Sequence, residues 1–367
     1  MHLIHLHRPS LPRMRAQSLQ VLHTCHALAR RGHAVTCFAE RGPGFTGGVA
    51  EALAPYGLSP HPCFDLEILG LRHPGLAGLA FRAGVARRLG ARREPRPPVL
   101  FVRSWRHADQ VRILRRFTRF HLVFEAHEVD SAQARERGAP FEAAARREAR
   151  VLTALHGLVA NCEGTLAVLE EIHGDRLPGA RCVVHNGTDP SRACDPIPHP
   201  GVVAGYVGSP RAFKDVRCLL AAAEHLPEGF RVRLVGGDPQ DGDFDALAAA
   251  ASPRVEVRPG VACADVPGVL AGLDVLVLSL GDDLYARRLA SPLKLWDYLA
   301  TGLPVVAPDH PSVAAICPDG FHPYRPGDAA SLARAIQAAA ARGRGARRLR
   351  TWDDRAVELE AFLEALP

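Results

Sequence analysis

No stretch of the sequence reaches the ~20 consecutive apolar residues that carry a helix across a bilayer. The densest apolar run, residues 269–280, is interrupted by Asp274. The opening MHLIHLHRP has neither the cationic head nor the long apolar centre of a secretion signal. Nine cysteines, an odd number without a C-x-x-C pair or regular spacing, argue against a disulfide framework and against a zinc site. His5, His7, His23 and His26 crowd the amino terminus, yet they are four among eighteen histidines and read as ordinary filler. Aromatic residues make up 6% of the chain and do not alternate with basic ones, so nucleic acid is not an expected partner. Lysine is nearly missing: Lys214 and Lys294 stand against 43 arginines. These absences predict a reduced, soluble, cytoplasmic chain.

What is present is ordinary globular material, 47% apolar and 23% charged over 367 residues, enough for about two domains. The net charge of +6 is uneven. Residues 1–196 hold 27 Lys+Arg against 18 Asp+Glu, whereas residues 197–367 hold 18 against 21. A basic half joined to a mildly acidic half predicts two units with different partners. Twelve arginines fall within 82–119, against only Glu94 and Asp109. Such a stretch is either a solvated face or a surface for an anionic acceptor or membrane.

Short β-like apolar runs alternate with longer amphipathic segments, the pattern of a mostly parallel sheet covered by helices. In the first half the spacing predicts strands over 2–7, 34–39, 99–102, 121–125, 157–161 and 181–185. Helices are predicted over 16–31, 105–117, 141–155 and 164–173. Cys194-Asp195-Pro196-Ile197-Pro198-His199-Pro200 places three prolines in five residues and is the expected linker. Alternation restarts with strands over 201–207, 231–235, 255–258, 275–278 and 305–306. Its helices are predicted over 214–225, 244–251, 266–271, 293–300 and 329–341. The fold class is α/β, two doubly wound domains facing a cleft: residues 1–195, residues 196–350, and a closing helical segment, 351–367, able to pack back on the first domain. Ligands in such sheets bind beyond the carboxyl ends of the strands.

Both lysines stand where a helix is expected to start. In Gly205-Tyr206-Val207-Gly208-Ser209-Pro210-Arg211-Ala212-Phe213-Lys214 a strand passes through a glycine turn towards a helix. Ala290-Ser291-Pro292-Leu293-Lys294-Leu295-Trp296-Asp297-Tyr298 opens another. Helix N-termini offer unpaired N–H groups and a positive dipole end, and a compact ammonium beside each suits a diphosphate. Asp297 is placed either to accept from a ribose diol or to serve simply as a helix N-terminal residue.

The 205–214 segment resembles the phosphate loop that opens the carboxyl-terminal domain of GT-B glycosyltransferases, above all the retaining family 4. The stretch from Ser291 to Ala307, SPLKLWDYLATGLPVVA, is similar to that family's donor-binding segment. Val184-His185-Asn186-Gly187-Thr188-Asp189 is similar to the turn that closes its first domain, and residues 27–35 to its first helix and second strand. The resemblance implies that Arg211 and Lys214 hold the donor diphosphate and that the Gly208-Ser209 turn approaches it. Ser291, Pro292 and Leu293, with Lys294, would line the phosphate site. Asp297 falls on the second glutamate of the family's E-x7-E motif, the ribose binder. The first glutamate, which reads the donor sugar, falls on Leu289, which accepts no hydrogen bond; Asp282 and Asp283 are the candidates to replace it. Gly260 and Val261 would meet the nucleobase through main-chain groups. In the first domain His127 would face the reacting sugar, with Glu128 beside it. Arg13 and Arg15 would replace a flexible glycine loop with a cationic one, for a donor phosphate or an acidic acceptor.

The function so implied is transfer of a hexosyl group from a UDP- or GDP-linked sugar to a hydroxyl acceptor, with retention. Neither cofactor nor metal is expected, because Arg211, Lys214 and the helix N-termini supply the positive charge. The alternatives are a sugar-nucleotide epimerase on the same fold and a degenerate, non-catalytic nucleotide-binding protein, the latter motivated by Leu289. Peripheral association with the inner face of an anionic membrane is a further expectation.

Overall fold

The computed structural model describes residues 1–69, 83–90, 96–210, 214–237 and 242–367. Arg211 lies outside the described residues, as do Arg82, Arg92, Arg93 and Glu94 of the arginine-rich stretch. The chain falls into two units, Met1–Asn186 with Trp352–Pro367, and Gly187–Thr351.

The first unit is built on strands β1 (His2–Leu11), β2 (Ala34–Arg41), β3 (Phe64–Leu69), β4 (Val99–Val102), β5 (His121–Ala126), β6 (Gly157–Ala160) and β7 (Arg181–Val183). They form one sheet in the order β3-β2-β1-β4-β5-β6-β7, with every neighbouring pair parallel. Val99-Leu100-Phe101-Val102 and Gly157-Leu158-Val159-Ala160 are buried along their whole length, as in strands covered on both faces. The order reverses between β1 and β4, so the carboxyl ends of the central strands bound the crevice where such a sheet takes ligands. The helix Ala16–Arg30 packs on β1 and β2.

The carboxyl-terminal helix Trp352–Glu364 belongs to this unit and lies along Ala16–Arg30. It buries Trp352, Arg355, Ala356, Leu359 and Leu363. Trp352 stacks on His23 with ring centroids 5.3 Å apart. Arg30 pairs with Asp353, and Arg31 and His33 pair with Glu360.

The second unit contains β8 (Val202–Val207), β9 (Phe230–Val235), β10 (Val255–Arg258), β11 (Val275–Val277), β12 (Val305–Pro308) and β13 (Phe321–Tyr324). Their order is β10-β9-β8-β11-β12-β13, again all parallel, with the reversal between β8 and β11. Two apolar clusters hold it, one around Tyr206, Leu219, Val232 and Ile336, the other around Leu273, Leu276, Leu295 and Leu299. No helix among the described residues is long and apolar enough to cross a membrane.

Several elements differ from the sequence pattern. The proline-rich segment 194–200 is not a free linker. Ile197 donates its N–H to the Ala271 carbonyl (2.7 Å), and Arg344 and Arg347 both donate to the Cys194 carbonyl (2.9 Å each). Prolines forbid a regular ladder, but they leave carbonyls free to accept. The chain therefore passes between units at Asn186/Gly187 and Thr351/Trp352 rather than at 195/196. Thr188 and Thr351 pair there as a parallel bridge. The helix expected over 105–117 ends at Val111 and tightens into a 3-10 turn, Arg112–Arg116. The helix expected from Lys214 starts only at Val216.

Candidate functional site

In the second unit the carboxyl end of β8 turns at Gly208, whose φ of +138° lies in the region that favours glycine. A Cβ there would sit 2.7 Å from the Lys294 ammonium. Gly236, after β9, is more confined still, since a Cβ on it would lie 1.9 Å from the Gly208 carbonyl oxygen. Gly208 N–H donates to Val235, Gly236 N–H to Arg258 and Gly260 N–H to Gly237, stitching the ends of β8, β9 and β10 into one glycine-walled rim. Tyr206 donates its hydroxyl to the Ser209 carbonyl (2.9 Å), and Tyr298 accepts from Val207 N–H (3.1 Å), so the turn is pinned from beneath.

Lys294 stands in the first turn of the helix Leu293–Thr301, whose N-cap is Pro292. Its side chain is partly exposed, yet Nζ itself is buried and has no hydrogen-bond acceptor among the described residues. Nζ lies 3.6 Å from the centroid of the Tyr206 ring. Burial, and then the neighbouring Lys214 ammonium, push its pKa well below the usual lysine range, with Asp297 pulling the other way. Two ammoniums are thus set against each other beside a glycine turn. Lys214 precedes its helix, in a loop turned by Asp215 in the left-handed region (φ +47°), where aspartate is tolerated. Asp215 is held by its carbonyl accepting from Ser279 and its carboxylate accepting from Gly327 N–H (3.0 Å).

Asp297 lies on the same helix as Lys294. Its Oδ1 accepts from the Thr188 hydroxyl and lies 3.5 Å from Arg192 Nε. Burial raises its pKa against the opposing pull of Arg192 and Thr188. Leu289 is fully buried at the end of the π-helical turn Tyr285–Leu289. Asp283 caps that turn, accepting from Ala286 N–H (2.7 Å), and Asp282 is exposed, 3.6 Å from Arg287. Neither aspartate is thereby brought beside the Lys294 ammonium by any contact among the described residues. His310 and Ser312 fasten the segment through the Gly281 and Ala286 carbonyls. Gly260 donates its N–H to the Gly237 carbonyl (2.9 Å), and Val261 is 41% exposed.

The first unit carries a buried polar layer at the end of β5. Glu125 is wholly buried, and its Oε1 accepts from Arg355 and from Gln20 Nε2 (2.9 Å). Gln20 accepts in turn from Arg103 (2.6 Å). His127 Nε2 lies 3.2 Å from Glu125 Oε1, too poorly aligned for a hydrogen bond. Burial alone would raise the Glu125 carboxyl, but Arg355, His127 and Arg103 outweigh it and hold it well below the usual range. His127 is pushed down to about 4 by burial and Arg103, against the pull of Glu125, so it is neutral at pH 7. Glu128 is exposed, its carbonyl accepting from Trp105 Nε1 (3.1 Å). Arg13 and Arg15 are exposed; the Arg13 carbonyl accepts from Tyr56.

The glycine pair 236–237, Tyr206, Thr188, Arg192 and the Glu125–Arg355 pair were not among the residues expected from sequence. The Gly-Gly after β9 and the Asn-Gly-Thr-Asp turn were the available signals. The chain also carries Asp-x-Asp spacings at Asp241-Gly242-Asp243 and Asp243-Phe244-Asp245, Asp241 lying outside the described residues.

A family model described as "Glycosyl transferases group 1" matches residues 201–342, and one described as "Glycosyl transferase 4-like domain" matches residues 16–187. Together they leave out only residues 1–15, 188–200 and 343–367. Solved structures similar to the chain include sucrose-phosphate synthase from Thermosynechococcus elongatus, at 18% identity and TM-score 0.75 over 100% of this chain and 99% of that one. Anabaena HepE, determined with UDP and glucose, gives 16% and 0.73 over all of both chains. WaaG, a glycosyltransferase involved in lipopolysaccharide biosynthesis, gives 17% and 0.62 over 98% and 95%. No curated protein matches the chain. The chain belongs to the GT-B glycosyltransferases, with two Rossmann-like domains.

Proposed function

We propose that this glycosyltransferase transfers a hexosyl group from a nucleoside diphosphate sugar to a hydroxyl acceptor with retention and without a metal ion. The observation that carries this reading is the buried ammonium of Lys294, without an acceptor among the described residues, beside Lys214 and the Gly208 turn. Two like charges in that position call for an anion, and a diphosphate is the anion a glycosyltransferase must stabilise as it leaves. Lys214, Lys294 and the N-terminus of Leu293–Thr301 supply the charge that a divalent ion supplies elsewhere. The leaving diphosphate then assists deprotonation of the acceptor on the face it departs from. Uridine is the first base to try, since HepE binds UDP and glucose; GDP sugars are the second.

The same reading assigns an anionic acceptor or membrane face to the first unit. Its support is the turn Arg112–Arg116, where Ile113 is 47% exposed and Phe117 82% exposed among Arg112, Arg115, Arg116 and Arg119.

A donor panel of UDP- and GDP-hexoses, assayed for slow hydrolysis in EDTA, tests the proposal without knowledge of the acceptor. Release of nucleoside diphosphate in EDTA, with the free sugar first formed in the donor's anomeric configuration by NMR, is the expected outcome. Turnover that vanishes in EDTA, or an inverted product, overturns it. Conversion of the donor to an epimer would favour the epimerase, and binding without any turnover the degenerate protein.

A further inference from the structure

We propose that His5, Cys25 and Cys37 form a buried site for a single thiophilic d10 cation, Cu⁺ or Zn²⁺, within the first unit. Strands β1 and β2 run parallel with His5 directly opposite Cys37, so both side chains point to one face of the sheet. The helix Ala16–Arg30 lies over that face and brings Cys25 down onto the pair. The coordinating atoms of the three residues all lie within 4.8 Å of one another.

A second observation is independent of this spacing. His5 is 1% exposed, and neither of its ring nitrogens has a hydrogen-bond partner among the described residues. Its ring rests on Phe101, 5.3 Å between centroids, which supplies no acceptor. A buried imidazole is ordinarily satisfied by protein or water, and an orphaned one needs a reason. A cation bound through the lone-pair nitrogen would satisfy that one of the two.

The donor set fixes the class of ion. Two sulfurs and one imidazole are soft, which disfavours Mg²⁺ and Ca²⁺ and favours Cu⁺ and Zn²⁺. Cys25 and Cys37 are both 0% exposed, so solvent does not reach the site from their side and three protein ligands are what it offers. Binding replaces the two S–H protons, which leave to solvent, by two metal–thiolate bonds. With Zn²⁺ the site is then neutral. With Cu⁺ it carries one negative charge, facing Arg103 and Arg355, with Glu125 the opposing carboxylate and His127 the remaining titratable neighbour.

The test uses the full chain, expressed in medium supplemented with Zn²⁺ or with copper under reducing conditions, and purified without a metal-affinity tag. Metal content after gel filtration should approach one Zn²⁺ or one Cu⁺ per chain, and which arm loads identifies the ion. X-ray absorption of the loaded wild type should show sulfurs at about 2.3 Å and a nitrogen at about 2.0 Å. Cys25→Ser and Cys37→Ser should each lose more than the roughly 10–100-fold in affinity that removal of an outer-shell partner costs, whereas Cys63→Ser should lose nothing. Wild-type protein with native circular dichroism that retains neither metal overturns the proposal. So does a loaded ion with only nitrogen and oxygen ligands, or a Cys25–Cys37 disulfide in the purified chain. The absorption measurement keeps the test valid should either serine variant fail to fold.

Discussion

Arg355, on the carboxyl-terminal helix, donates to Oε1 of Glu125 at the end of β5, and both side chains are completely buried. The same guanidinium donates to the Val184 and His185 carbonyls (2.8 and 2.9 Å) and to the Thr24 hydroxyl (3.0 Å). One side chain thus ties the last helix to β5, to the chain just past β7 and to the helix Ala16–Arg30. Removing one partner of a buried pair leaves the other charged and unpaired, at about 3–5 kcal/mol. Arg355→Met and Glu125→Gln should each lower the urea-unfolding free energy of the first unit by that order, and the double variant by clearly less than the sum. Single variants within about 0.5 kcal/mol of wild type, the range of ordinary surface substitutions, would show that the pair does not tie the helix down.

His127 makes the stability of this unit depend on pH. Its folded-state value of about 4 lies below the ordinary 6.5. Above pH 6.5 both folded and unfolded states hold it neutral, and nothing is lost. Between pH 6.5 and 4 the unfolded chain binds the proton and the folded one does not, so stability falls as pH falls, by of order 3 kcal/mol across the window. Glu125, held below its unfolded value, loses its contribution only at lower pH still. Unfolding midpoints at pH 7, 6, 5 and 4.5 should decline steadily, and His127→Gln should flatten the slope. A wild-type profile level from pH 7 to 5 would contradict the burial argument.

Lys294 offers a prediction with opposite signs in two measurements. An ammonium buried without an acceptor destabilises the ligand-free protein, so Lys294→Met should raise its melting temperature. The same change removes a charge-assisted contact worth about 1.5–3 kcal/mol, so nucleoside diphosphate should bind roughly tenfold or more weakly. Lys214→Ala should lose about 3–4 kcal/mol of transition-state stabilisation, seen in kcat/KM, as for loss of one oxyanion donor. Arg211→Ala should act in the same direction and non-additively with it. If Lys294→Met lowers the melting temperature and leaves nucleotide affinity unchanged, the ammonium is structural and the anion site lies elsewhere.

Asp297 is held through one carboxylate oxygen, by Thr188 and Arg192. Asp297→Asn should weaken nucleoside diphosphate binding about tenfold in calorimetry, because a charged acceptor is replaced by a neutral one. Thr188→Val should weaken it less, since the carboxylate keeps its charge and loses only one of the two groups that orient it. Equal affinity of wild type and Asp297→Asn would make Asp297 a helix residue held by its neighbours.

The sequence shows the central strands and two of the four edge strands, β7 and β10, but hides the other two for a physical reason. β4 and β6 are covered on both faces and read as apolar runs, whereas β3 and β13 stand at sheet edges. Asp65 and Glu67 alternate through β3, and Pro323 interrupts β13, which only an edge strand tolerates. The site divides in the same way. Lys294 and Gly208 stood out because lysine is scarce and glycine turns are local. Thr188 meets Asp297 across 109 positions and Arg355 meets Glu125 across 230, pairings that no local spacing encodes. Gly236 reads as a common turn glycine until the Gly208 carbonyl is seen against it.

The last prediction concerns the surface of the first unit. Phe117 is 82% exposed at the end of the Arg112–Arg116 turn, and Arg115, Arg116 and Arg119 are exposed around it. Arg112 is partly taken up by Asp109 (2.7 Å) and Arg115 by the Ala154 carbonyl (2.6 Å), which leaves Arg116 and Arg119 as the arginines to test. Each basic side chain near an anionic bilayer contributes about 1 kcal/mol, and the attraction decays over a Debye length of ~8 Å at physiological salt. A phenyl ring entering the interface adds an apolar contribution that salt does not screen. Sedimentation with phosphatidylserine-containing vesicles should therefore pull the protein down at low salt and partly release it at high salt, while neutral vesicles leave it in solution. Arg116→Glu with Arg119→Glu should remove the salt-sensitive part, and Phe117→Ser the salt-resistant part. If the protein stays in the supernatant with anionic vesicles at low salt, the arginines serve solubility and the acceptor is a small soluble molecule.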